Sequence, residues 1–196
     1  MAIGENEIVL KNVRITTFGR QTIYNPQAFP GGTDPTKYFS LNGILPKNHP
    51  QIPAIEKMML KVALGKWPTK GAAVLKAAKL IGKVPLRDGD AKAEYDGFEG
   101  NMFISARSKD RPTVFDNMRN PVVEGDPNSP YDGCYADVKV SFYAYDKGNN
   151  GIGAGLKGVQ FRANGDRFSG GGAPADADDF DEIAAPEDGE QDPLTA

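Results

Sequence analysis

The sequence is short of the residues that carry most enzyme chemistry. Among its 196 residues there is one cysteine, Cys134, and one histidine, His49. A single cysteine excludes an intrachain disulfide and gives no sign of an oxidising compartment. One Cys and one His cannot build a zinc site of the usual Cys/His composition. They stand far apart with no signature around either, so a Cys–His nucleophile is not expected and Cys134 reads as a core or strand-start residue. Long apolar runs are missing too: nothing approaches the roughly 20 consecutive apolar residues that cross a bilayer. The opening MAIGENEIVL lacks the basic patch, apolar run and cleavage site of a signal peptide. The expectation is a soluble intracellular protein without membrane contact, catalytic cluster, cofactor or metal.

Charge is present but segregated. The formal net charge is −3. From Ala173 to Ala196 there are nine Asp or Glu and no Lys or Arg, which leaves the body with 23 bases against 17 acids. A basic body with an acidic tail differs in kind from a mildly acidic protein. The stretch SGGGAPADAD from Ser169 reads as a flexible boundary, and the tail beyond it has too few apolar groups to offset the entropy of ordering. Two units are therefore expected: a folded domain over 1–168 and a linker with disordered acidic tail over 169–196.

Within the body, Glu7 to Phe18 predicts a first strand, its alternation mixed early and clean around Arg14. Arg20 to Pro35 predicts a loop and Lys37 to Leu45 a second strand. Ala54 to Lys66 and Lys70 to Ile81, separated by Pro68, are rich in Ala, Leu, Met and Lys and predict two short helices. Asp88 to Gly100 predicts a polar loop, Asn101 to Ser108 a strand, and Val114 with Phe115 a short extended piece. Cys134 to Tyr145 alternates strongly, Asn150-Gly151 signals a turn, and Ile152 to Ala163 returns as a strand. Strands, a central helical insert and a terminal hairpin fit a mainly-β, five-stranded barrel of the OB type. Gly153, Gly155 and Gly158 spell G-x-G-x-x-G, but that motif serves a dinucleotide only at a strand-to-helix turn, whereas here strand follows.

Unpaired nucleic acid is held by cations that track phosphates and by rings on which bases stack. The predicted outward face of the Cys134 strand offers Tyr135, Lys139, Tyr143 and Tyr145. Lys37 and Tyr38 stand in the second strand, and Phe103 and Arg107 share a face of the third, extended by Lys109 and Arg111. Arg14 projects from the first strand. These eleven residues are the expected DNA contacts, while Trp67, between the helices, is expected to be a packing anchor. The tethered polyanion is expected to compete with DNA for this face, with Asp178, Asp179, Phe180, Asp181 and Glu182 as its contact for other proteins.

The block PYDGCYADVKVSFYAYDKGNNGIGAGLKGVQ, preceded by RPTVFD and followed by a Gly-rich linker and acidic tail, resembles the single-stranded DNA-binding proteins of tailed bacteriophages, a family long treated as a domain of unknown function. The resemblance implies an OB-type barrel and a role in phage DNA replication, recombination and repair in the cytoplasm of the infected bacterium. It also implies that the tail contacts phage or host replication proteins. The tail ends in PLTA with Phe180 internal, whereas well-known tails of this kind end in an aromatic residue. Homodimer formation is an open option, and a virion structural or scaffolding protein is the alternative reading.

Overall fold

The computed structural model describes residues 4–28, 31, 33 and 35–168. The linker and the tail contact residues Asp178 to Glu182 lie outside the described residues. In chain order the elements are β1 (Glu7–Thr16), β2 (Gln27–Ala28), β3 (Lys37–Pro46), α1 (Ile52–Lys66), α2 (Gly71–Leu80) and β4 (Leu86–Asp88). A 3-10 turn (Gly89–Lys92), β5 (Asn101–Ser108), β6 (Thr113–Phe115), β7 (Tyr135–Tyr145) and β8 (Gly151–Ala163) complete the chain.

Five strands form a ring in the order β3-β1-β7-β8-β5, and β5 returns to pair with β3. All of these pairings are antiparallel except β5 with β8, which meet in parallel at Arg107 and Gly155. Closing the ring removes the free edges that an open sheet would expose to other chains. The short strands β2, β4 and β6 add to β3, β5 and β8 respectively.

Two bulges explain why the hydrophobic alternation changes phase along the chain. On β1 the register shifts between Leu10 and Val13, and Asn12 takes a φ of 54°. Inward positions therefore switch from even numbers to odd: Leu10, Val13 and Ile15 are all fully buried. This is the physical cause of the mixed early pattern in the sequence. On β8, Lys157 is the extra residue, because Lys139 faces Gly158 while Val140 faces Leu156. Ile152, Ala154 and Leu156 point inward before it, Val159 and Phe161 after it.

The helices lie between β3 and β5, as the sequence predicts, and pack on β7 and β8. Pro53 sits in the first turn of α1, where no N–H is needed. Ile55, Met59, Val62 and Ala63 form the buried stripe of α1 and join Leu10, Leu41, Leu45, Ile104, Val138 and Val140 in one core. Each large side chain buried there stabilises the fold by about 1.5–3 kcal/mol. Trp67 and Cys134 are both buried, and His49 is tied to the backbone oxygen of Lys11 and to the N–H of Gln51. A smaller cluster lies outside the ring, where Ile44, Phe98 and Phe103 pack with Phe18 and Phe168. The segment read as a polar loop, Asp88 to Gly100, builds it: the chain runs from β4 through the 3-10 turn and folds Phe98 onto the outer face of β5.

Candidate nucleic-acid interface

Cross-strand register decides which outward side chains share a face. Ile44 pairs with Phe103, Asn42 with Ser105 and Ser40 with Arg107, so these six project from one outer surface of β3 and β5. Across Phe103 lies Arg87 of β4. The hairpin of β7 and β8 stands at the side of this surface, with Tyr143 opposite Gly153 and Tyr145 opposite Gly151. A Cβ on either glycine would collide with the facing tyrosine ring. Gly151 and Gly153 let the rings lie down on the strand.

The result is an open groove of about 530 Å³. Tyr38, Arg107, Tyr143 and Tyr145 all line it, together with Phe18, Ser40, Asn42 and Ser105. Its cations are Arg20, Lys83, Arg87, Lys92 and Arg107, and no Asp or Glu is among the described residues that line it. Tyr143 is 41% exposed, and its ring centroid lies 6.3 Å from that of Tyr145. Burial raises the Tyr145 phenol above its usual pKa, the neighbouring Tyr143 adds to this, and Arg107 and Arg87 oppose it.

Several cations outside the groove are held by carboxylates. Lys11 and Arg162 are ion-paired to Asp137, Lys47 to Asp88 and Asp90, Lys61 to Glu5, Lys66 to Asp146, Lys79 to Glu56 and Lys139 to Glu7. None of these lines the groove. The groove cations Arg87, Lys92 and Arg107 rest on rings instead: Arg107 lies 5.0 Å from Tyr38, Arg87 4.7 Å from Phe103 and Lys92 5.2 Å from Phe18. A ring face orients a cation without neutralising it, so these three keep their charge for an anion.

The loop that supplies Phe18 is fixed by Asp132, whose carboxylate accepts from the N–H groups of Thr17 and Gly19, each at 2.7 Å. Phe18 takes a φ of 56° between them. Its ring stacks on Phe98 at 5.7 Å and leaves its other contacts to Tyr95 and Lys92.

Not every residue expected at the interface meets in this groove. Lys109 sits over the Tyr38 ring at 6.0 Å, and Lys37 is exposed beside it. Arg111 lies over Phe39 and donates to the backbone oxygen of Tyr24. Phe103 shares the face of Arg107 as expected, but it is 2% exposed and has no surface to offer a base; it supports the cations above it. Arg14 donates to the backbone oxygens of Gly133 and Asp166, sandwiched between Tyr135 and Phe168. Lys139, held by Glu7 at 2.8 Å, lies with Arg14 and Tyr135 outside the groove.

A family model described as Enterobacter phage Enc34, ssDNA-binding protein, matches residues 6–192. The chain belongs to this family of phage single-stranded DNA-binding proteins. Protein p50 of Acyrthosiphon pisum secondary endosymbiont phage 1 is 36% identical over 196 residues, covering 94% of this chain and 97% of that one. The single-stranded DNA-binding protein of bacteriophage Enc34 superposes with a TM-score of 0.68 at 23% identity over 89% of each chain. The same protein in complex with single-stranded DNA gives 0.67 at 23% identity, over 83% of this chain and 89% of that one. The single-stranded DNA-binding protein gp2.5 of bacteriophage T7 gives 0.54 at 12% identity, over 91% and 99%. These structural likenesses are likenesses of fold. The family is one of DNA-binding proteins and not of enzymes, in keeping with the shortage of catalytic side chains.

Sequence reasoning missed several groove residues of this family member. Arg20 and Lys83 fall in a loop and after a helix, with no strand pattern to orient them. Arg87 carried a usable signal, since Val84, Pro85 and Leu86 before it form a short apolar run at the end of the helical insert. Lys92 carried none, because only the 3-10 turn aims it.

Proposed function

We propose that this protein binds single-stranded DNA without sequence preference in the groove between β3, β5 and the β7–β8 hairpin. The observation that carries this reading is the company of cations and rings in a groove whose described lining holds no carboxylate. Cations follow the phosphates, whereas Tyr38, Tyr143 and Tyr145 stack bases, an interaction nearly indifferent to base identity. The ring order, with its parallel closing pair, supports reading the domain over 1–168 as an OB barrel, whose ligands lie on this side. Family membership supports a role in phage DNA replication, recombination and repair in the cytoplasm of the infected host.

The acidic tail competes with DNA for the groove and, when displaced, contacts replication proteins. Phe168, the last described residue, packs on the Ile44, Phe98 and Phe103 cluster, and being tethered to the same chain gives the acidic segment a high effective concentration for the groove. The family match runs through this acidic stretch.

Titration of single- and double-stranded oligonucleotides at two salt concentrations tests both claims, with the full chain and with a chain ending at Gly172. Salt-sensitive preference for single strands, tightened by truncation, is expected. No affinity at low salt would overturn the groove and favour a virion or scaffolding protein. Equal affinity of the two chains would remove the tail from the mechanism.

A further inference from the structure

One end of the groove holds more positive charge than its packing requires. Arg87 has five N–H donors and spends one hydrogen bond on the chain, from a terminal amine to Ser105 Oγ at 2.8 Å. Its Nε is buried without a partner, alone in this among the described buried side-chain atoms. Lys92 makes no ion pair among the described residues. Both cations lean on the same buried ring: Arg87 Cζ is 4.7 Å and Lys92 Nζ 5.9 Å from the Phe103 centroid. Burial, and then the charge of Arg87, pull the Lys92 ammonium below its usual pKa, with Glu94 pulling back. Two like charges gathered on one ring repel each other, and a domain that needed only packing there would do better with a neutral residue. Arg14, Arg111 and Arg167 also lie over rings outside the groove, but Arg87 and Lys92 are two cations sharing one ring, with no carboxylate of the described residues ion-paired to either.

We propose that Arg87 and Lys92 form one phosphate-binding subsite that takes a single backbone phosphodiester of the strand lying in the groove. This inference rests on the groove being the strand site and adds which pair holds a phosphate there. The planar guanidinium suits two non-bridging oxygens, and the ammonium adds a point charge from the side of Phe18. Ser105 fixes the guanidinium and is itself tied to Asn42 Oδ1 at 2.6 Å, so the donor is oriented before the strand arrives. Tyr145 lines the same groove as Arg87 and Lys92, which offers a stacking ring to a nucleotide of the same strand.

The test is the salt dependence of oligo-dT binding by the full chain carrying Arg87→Gln, Lys92→Gln or both. Each lost phosphate contact on a single strand lowers the slope of log affinity against log salt by about 0.7. Because the two cations share one phosphate, the double variant is expected to lose about 0.7 in all, one contact and not two, with each single variant losing no more than that. A double variant losing twice as much would mean two separate contacts and overturn the shared subsite. Arg107→Gln and Tyr143→Ala serve as groove controls. Unchanged binding by the Arg87 and Lys92 variants, with weakening by the controls, overturns the subsite and leaves the groove standing. Unchanged binding by all of them overturns both. Should Arg87→Gln fail to fold, Arg87→Lys keeps the charge and loses the fork, so affinity should fall at unchanged slope; Lys92→Gln then decides whether the slope moves.

Discussion

Tyr143→Ala should weaken the binding of an unpaired oligonucleotide while leaving the barrel folded. The ring is 41% exposed and rests on the backbone of Gly153. Removing it uncovers a short length of strand and opens no cavity, so the cost to folding should stay within about 0.5 kcal/mol, as for other surface positions. A base stacked on an aromatic side chain is worth about 1–3 kcal/mol. With tenfold for every 1.4 kcal/mol, the dissociation constant should rise between about five- and 150-fold. No charge is lost, so the slope of affinity against salt should not move. Fluorescence anisotropy with labelled oligo-dT at several salt concentrations measures both quantities, and thermal unfolding checks the fold. Tyr143→Phe keeps the ring and should bind like the parent. Parental affinity in Tyr143→Ala, or a loss that appears only as an altered salt slope, would refute base stacking on this ring.

Gly153→Val should mimic the loss of Tyr143, because the new side chain occupies the space of the ring; oligonucleotide affinity should fall while circular dichroism still reports the barrel. Asp137 is 8% exposed and accepts from Lys11 Nζ at 2.7 Å and Asn12 N at 2.9 Å, with Arg162 at 3.2 Å. Asp137→Ala should destabilise the domain by about 2–3 kcal/mol in urea unfolding, slightly below the range for a fully buried pair because Lys11 and Arg162 are half exposed. Burial pushes the pKa of Asp137 up, but Lys11, the Asn12 N–H and Arg162 outweigh it and the net shift is downward. Its stabilising contribution is therefore complete above the unfolded value of about 3.9 and is lost as pH falls through the lower folded value. Between those values the variant should lose less stability than the parent. Burial raises the Cys134 thiol to about 11, so a thiol reagent at neutral pH should label it only on unfolding; rapid labelling of the native protein would contradict its placement.

The five ring strands and the two helices were legible because each follows a short period that needs no knowledge of its neighbours, whereas β2, within the segment read as a loop, and β4 were not. Cys134 to Tyr145 alternates cleanly, and the hairpin it forms with β8 is local in sequence. The β1 bulge showed in the sequence only as an alternation mixed before Arg14, because its cause, a left-handed Asn12 over the buried Asp137, depends on a partner strand more than 100 residues away. The closing contact between Arg107 and Gly155 was not legible, because one parallel pair leaves no periodic trace. Phe103 shows the limit of strand parity most clearly. Alternation puts it on the outer face with Ser105 and Arg107, and it is there, but the segment from β4 to Phe98 folds back and covers it. Parity assigns a face; it does not say what later lies upon that face.

That covering segment turns an exterior surface into a site. Without it, the outer face of β3 and β5 would be a polar sheet with Ile44 and Phe103 exposed on it. With it, Phe98 and Phe103 make a floor of rings, and Arg87 and Lys92 stand on that floor. Gathering cations away from carboxylates sacrifices folding stability through mutual repulsion, and the rings offset part of the loss while leaving the charge unspent. The deficit is made good when a polyanion arrives. A ligand that binds only the folded state stabilises it in proportion to the logarithm of its concentration over its dissociation constant, so unpaired DNA should be the condition under which this domain is most stable. The same uncompensated charge would attract any anion that reaches the groove, so competition between DNA and other polyanions for this face is expected from the same physics.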